Sequence, residues 1–146
     1  MAITGSPHEV ILAARPESPR AARNQVRAWL DAASWPTDLI HDLVYAVNEA
    51  VTNAVEHAYS PGDAVQTIEL TLQVEHGHDG TRRARVHIRD HGRWRVFRPG
   101  FGRRGYGLIL MRALMDEVII QPVQAGRGGT LAVLLSRPAP AVARRR

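Results

Sequence analysis

The side chains best suited to chemistry in this 146-residue chain cluster in one stretch, NEAVTNAVEH, residues 48–57. Its alanines and valines recur at the spacing of a packed helix face, and Asn48, Glu49, Asn53, Glu56 and His57 interrupt them. Glu49 and Asn53 are four residues apart, so a helix stacks them on one face, with His57 continuing the row. A carboxylate and an amide oxygen at that spacing suit Mg²⁺, which takes one or two protein oxygens and fills its remaining positions with water and phosphate. A hydrogen bond along the helix surface is the simpler use of the same pair. The spacing alone leaves both open.

A second polar residue stands among apolar ones further on. In Arg82 to Asp90, Ala84, Val86 and Ile88 share one face of a predicted strand and Asp90 follows them in phase. A carboxylate at the end of an apolar face is costly unless something satisfies it. Gly105-Tyr-Gly107 then precedes an apolar helix beginning at Leu108. Bare backbone at a helix N-terminus can approach phosphates closely, and Arg103 and Arg104 adjoin it. Gly100-Phe-Gly102-Arg-Arg-Gly105 also spells a dinucleotide fingerprint, but no strand leads directly into it, so that reading is rejected.

The elements that must position these groups follow from periodicity. A strand is predicted at His8–Ala14, then a helix from Ser18, read as the cap, and Pro19 to about Ala33, with Ala22, Val26, Trp29 and Leu30 on its buried face. Thr37 is read as the cap of a second helix, which keeps a 3.6-residue period until Ser60-Pro61-Gly62. From Ile68 to Val74 the period becomes two, and the return strand Arg82 to Asp90 places Arg82, Arg83, Arg85, His87 and Arg89 on the solvent side. His91 to Arg104 has no period and reads as a loop. A third helix starts near Gly105 and carries Met111 and Met115 as core residues, before a hairpin of Val118–Val123 and Thr130–Ser136. The expected fold is an α/β (α+β) two-layer sandwich, with a mixed, mostly antiparallel sheet and its helices on one face. Residues 1–7 are expected to be a flexible N-terminus, 8–137 a single domain and 138–146 a disordered tail.

Composition excludes several classes. The chain has no cysteine and no lysine, since all 19 basic residues are arginine. Disulfides, thiolate chemistry, a P-loop lysine and Schiff-base catalysis are therefore ruled out. The formal charge of +5 would suit an acidic partner or nucleic acid, but neither a basic helix nor an aromatic stacking platform accompanies it, and a solvated basic surface is preferred. His76 and His78 flank a turn glycine without a third ligand and are read as solvated. With no apolar run of membrane-spanning length and no signal-peptide pattern, the chain is expected in the cytoplasm.

Taken in order, Glu49-x-x-x-Asn53 on a helix, Asp90-x-Gly92 at a strand end, Gly105-x-Gly107-Leu108 opening a helix and Gly129-Thr130 opening a strand resemble the N, G1, G2 and G3 boxes of the GHKL (Bergerat-fold) ATPases. Within that superfamily the compact length and the helix NEAVTNAVEHAY look like the anti-sigma-factor serine/threonine kinases, and a histidine autokinase with a phosphoacceptor domain is not expected. The resemblance implies ATP and Mg²⁺ as cofactors. It makes Asn53 the Mg²⁺ ligand and Glu49 the general base. Asp90 would bind the adenine amino group, Gly92 would let the base approach and Thr130 would support the pocket. Gly105, Gly107 and Leu108 would form the phosphate turn, and His91–Arg104 the ATP lid, with Arg103 or Arg104 reaching the γ-phosphate. The G1 pattern has a second glycine where this chain carries Trp94. Implied partners are a small STAS-type anti-sigma antagonist, phosphorylated on serine, a sigma factor, and a second copy as homodimer. Two other readings stand beside this one: an ATP-dependent protein-binding switch without kinase activity, and a nucleic-acid-binding module.

Overall fold

The computed structural model describes residues 2–60, 62, 66–93, 105–124 and 128–143. Five strands and three α-helices follow one another as β1 (Ala2–Ala13), α1 (Ser18–Ala32), α2 (Thr37–Asn53), β2 (Thr67–His76), β3 (Arg82–Asp90), α3 (Gly105–Leu114), β4 (Glu117–Pro122) and β5 (Thr130–Leu135), with a π-helical turn, Ala54–Ala58, continuing α2. The sheet order is β1-β2-β3-β5-β4.

All four pairings are antiparallel, which corrects the expectation of a mixed sheet. The reason lies in the crossover. α3 carries the chain from β3 to β4, which runs in the same direction, but the β4–β5 hairpin folds β5 back into the place between them. A parallel crossover therefore leaves no parallel neighbours.

The core lies between this sheet and the helices. Val26 and Leu30 of α1, Leu43, Val47 and Val51 of α2 and Met111 of α3 are fully buried against Ile68, Leu70, Leu72, Val86 and Leu134 of the sheet. Each such aliphatic side chain contributes about 2 kcal/mol by leaving water. In-phase positions settle the register: Ile68 faces Asp90, Leu70 faces Ile88 and Leu72 faces Val86. A slip of one residue would turn Asp90 to the other face and the apolar set to solvent.

Several local expectations are corrected. β1 begins at Ala2, and Ala2, Ile3 and Thr4 of the segment expected to be flexible pair with His76, Glu75 and Val74 before an irregularity between Thr4 and His8. Ser18 is the first helical residue and no cap; its hydroxyl donates to the Ala13 carbonyl and accepts from Arg15 N–H, tying β1 to α1. Pro36, not Thr37, occupies the cap of α2. Arg82 is in phase with Ala84 and Val86, so it points inward and is buried, whereas Arg83, Arg85 and Arg89 occupy the other face as expected.

That inward arginine also holds the end of the chain. Its guanidinium lies 4.3 Å from the centre of the Trp35 ring. It donates to the carbonyls of Ala33 (2.7 Å), Ser34 (3.3 Å) and Pro140 (2.9 Å). Ala139 forms an antiparallel bridge with Arg82 and is wholly buried. Residues 138–140, expected to be disordered, are thus docked on the α1–α2 junction. Composition predicts disorder from the lack of apolar mass; one buried arginine with unspent donors offsets that.

Candidate functional site

The helix row forms as predicted as far as Asn53. Asn53 is the last residue of α2 and is buried, and Glu49 stands one turn earlier, half-buried. Beyond Asn53 the backbone widens into the π-helical turn, a feature frequent at functional sites. His57 does not continue the row: it is exposed and lies 3.7 Å from Glu56, its own neighbour.

The π-helical turn brings the Ala58 carbonyl against the end of β3. It accepts a 3.0 Å hydrogen bond from Arg93 N–H. An ideal Cβ on Gly92 would lie 2.1 Å from that oxygen. No rotamer change could relieve such contact, because both partners are backbone. Glycine is required here by the approach of Ala58, besides any room it leaves for a ligand.

Asp90 is 4 % exposed and its Oδ1 accepts from Gly92 N–H at 3.1 Å and Thr130 N–H at 3.3 Å. These two backbone donors answer part of the cost that the sequence raised for this carboxylate. Thr130 sits directly opposite Asp90 in the β3–β5 register. Its Oγ1 is buried and has no hydrogen-bond partner among the described residues. Around them a narrow crevice is lined by Ala50, Asn53, Ile88, Asp90, Met111, Ile120, Thr130 and Ala132, with about 10 Å³ of room for water in its closed part. That is about one water molecule.

Two residues that sequence reasoning did not single out fix this corner. Tyr59 donates its hydroxyl proton to the Thr67 carbonyl at 2.6 Å and accepts from His91 N–H at 2.8 Å. Burial is the first cause of its raised pKa, so the phenol stays protonated and able to donate. Arg89 donates to the carbonyl of Asp90 and, at 2.7 Å, to that of Gly128. It thereby clamps the β4–β5 turn onto the strand end. Neither has a sequence signature: Tyr59 lies where the helix pattern ends, and Arg89 reads as a solvent-facing strand residue.

α3 begins at Gly105, as expected, and Leu108 and Met111 enter the core. At Gly107 an ideal Cβ would lie 2.4 Å from Oε2 of Glu49. The carboxylate of α2 thus rests against the bare backbone of the first turn of α3. One set is a carboxylate and a hydroxyl with no partner among the described residues, with the Asn53 amide in the same crevice; the second is the Glu49 carboxylate beside the glycine-opened helix α3. Together they fit a flat, donor-and-acceptor ligand such as a purine beside a hydrated cation with phosphate. Among the described residues no three histidine, aspartate or glutamate side chains converge to hold a metal without such a ligand. Arg103, Arg104, Trp94 and the rest of the expected lid from 94 to 104 lie outside the described residues.

No helix of the described residues is long and apolar enough to cross a membrane. Residues 12–134 match the family model for the histidine kinase-like ATPase domain. The chain is 32 % identical over 124 residues to the anti-sigma F factor of Geobacillus stearothermophilus, covering 81 % of this chain and 84 % of that one. The anti-sigma F factor of Geobacillus thermodenitrificans (strain NG80-2) is 31 % identical over the same length, with the same coverage. Among solved structures, the RsbU and RsbW domains of Rv1364c from Mycobacterium tuberculosis superpose with a TM-score of 0.65 at 32 % identity, over 95 % of this chain. This chain spans 35 % of that longer one. The chain therefore belongs to the histidine kinase-like (GHKL) ATPase family and stands with its anti-sigma-factor members.

Proposed function

We propose that this chain is an ATP-dependent anti-sigma factor that binds a sigma factor and phosphorylates a serine of a small STAS-type antagonist. The observation that carries the reading is the corner formed by Asp90 and Thr130. A buried carboxylate faces a buried hydroxyl that has no partner among the described residues, and leaving such a hydroxyl unpaired costs about 1–3 kcal/mol. An adenine offers the exocyclic amine and ring nitrogen that would satisfy the pair.

In the same crevice Asn53 would hold Mg²⁺, and Gly105 and Gly107 at the start of α3 would lie under the phosphates, with Leu108 fixing the turn to the core. Arg103 and Arg104 would supply positive charge from the lid. The ion, when bound, neutralises phosphate charge. Glu49 takes the proton of the acceptor hydroxyl as the serine oxygen bonds to the γ-phosphorus and the bond from that phosphorus to the bridging oxygen of ADP breaks. Catalysis of this kind is mainly positioning and charge compensation, which suits a site with few chemical groups. Partner exchange would follow from the competition of antagonist and sigma factor for the same protein.

Calorimetric titration with ATP, with and without Mg²⁺, tests the site. Asn53→Ala should weaken only the Mg²⁺-dependent part, and Asp90→Asn should abolish binding. Transfer of labelled γ-phosphate to a STAS-type protein, lost in Glu49→Ala, tests the kinase. Binding of ATP without any transfer would leave a nucleotide-controlled binding switch instead.

A further inference from the structure

The contacts of Arg82 leave part of its hydrogen-bonding capacity unused. A guanidinium carries five N–H donors. Nε donates to Pro140, Nη1 to Ala33 and Nη2 to Ser34, so one N–H remains on each terminal nitrogen without an acceptor among the described residues. The Trp35 indole beneath the guanidinium is 5 % exposed, and its buried Nε1 N–H likewise has no acceptor among them. Three donors thus share one corner. The charge has no counter-ion either: no carboxylate among the described residues lies within ion-pair distance of Arg82, which is 6 % exposed. Burial alone holds its pKa below the ordinary 12.5, with no acid opposing it. A guanidinium buried without a counter-ion is costly, and carbonyl dipoles offset only part of the cost.

Beside this corner lies a cavity with about 180 Å³ of room, walled by Arg82, Ser34 and Pro36 on one side and by residues 140–143 on the other. That is the volume of about six water molecules. The guanidinium bonds the carbonyls of Ser34 and Pro140, both residues of the wall, so the charge stands at the cavity's edge. Apart from the Ser34 hydroxyl, the remaining lining side chains are proline, alanine and valine, none of which can accept a hydrogen bond. We propose that this cavity is a binding site for a carboxylate on a short apolar chain, about the size of propionate. The two oxygens of a carboxylate match N–H groups on the two terminal nitrogens, and the apolar wall suits the methylene groups behind them. A phosphate would bring more oxygens and more charge to the same few donors. The carboxylate comes either from a free small acid or from an acidic side chain of a bound polypeptide. Because residues 140–143 supply one wall, a bound carboxylate also fastens this segment to the α1–α2 junction. The site lies at the far end of β3 from Asp90 and does not depend on the nucleotide reading.

The test titrates the full chain with sodium propionate, with a glutamate blocked as its N-acetyl α-amide, with phosphate, and with sodium chloride at matched ionic strength. Binding is read from the Nε–Hε NMR signal of Arg82, identified by its loss in Arg82→Lys, and from the denaturation midpoint. Propionate should shift the signal saturably, with a Kd of roughly 1 mM, the strength expected of so small a ligand. It should also raise the midpoint by mass action. Ala141→Phe narrows the cavity from its exposed wall and leaves the Arg82 hydrogen bonds in place, so it should weaken binding roughly tenfold or more. Arg82→Lys keeps the charge without the fork and should remove the rise in midpoint. Tighter binding of the blocked glutamate than of propionate would assign the site to a polypeptide side chain, and the reverse order to a free acid. A shift that chloride reproduces, phosphate binding as tight as that of propionate, or propionate binding unchanged in Ala141→Phe would each overturn the proposal.

Discussion

The position a side chain would occupy at Gly129 is taken by the carbonyl oxygen of Asp90, 2.1 Å from an ideal Cβ. Gly129 also has φ +107°, in the region that favours glycine. Two independent requirements thus converge on the residue before Thr130, and both serve the same end: β5 must start hard against the end of β3 for Thr130 to face Asp90. Gly129→Ala is expected to destabilise the fold by about 2 kcal/mol or more and to weaken ATP binding in parallel. Chemical denaturation and calorimetry on the same variant check both.

Thr130→Val separates binding from stability. The substitution is close in shape and removes a buried hydroxyl without a partner among the described residues, so the unliganded protein should be as stable as the wild type or more so. ATP affinity should nevertheless fall, by roughly tenfold, about the worth of one hydrogen bond in a dry pocket. Loss of stability without loss of affinity would remove Thr130 from the nucleotide site.

The Arg82 clasp makes a prediction about the opposite end of β3. Arg82→Ala should cost about 2–4 kcal/mol, because three carbonyls lose a charged donor and the Trp35 ring loses its cation. Truncation after Ser136 should cost less, and the two changes together should cost less than their sum, since they share the bond from Arg82 to Pro140. ATP affinity should be unaffected by either, because Arg82 and Asp90 lie at opposite ends of one nine-residue strand. Denaturation midpoints and calorimetry decide it.

His87 should give the fold a dependence on mild acid. Its ring faces Thr71 and Val133 across the sheet, with Arg85 and Glu75 nearby. Burial first, and then Arg85, hold its pKa below the ordinary 6.5, while Glu75 opposes them. The folded state therefore binds this proton less readily than the unfolded chain, so stability is full above about pH 6.5 and declines as pH falls toward the folded value. His87→Gln should flatten the change in denaturation midpoint between pH 7 and the acid side of that window. An unchanged slope would mean that other groups set it.

The sequence alone determined the helix and strand order, the Asp90 phase and the row from Glu49 to Asn53, because these depend on periodicity, which is local. It also carried the order of the four boxes. What it could not determine depends on which segments meet. The all-antiparallel pairing follows from β5 entering between β3 and β4, and no residue of the hairpin states that choice. The requirement for Gly92 comes from the Ala58 carbonyl, 34 positions away in sequence. Tyr59 and Arg89 each look ordinary in the chain, and each gains its role from a carbonyl or amide that folding brings beside it. Arg82 was misplaced for the same reason: its charge implies solvent and its phase implies the interior. Phase prevailed because the core face of β3 ends on backbone carbonyls that only a long, forked cation can reach.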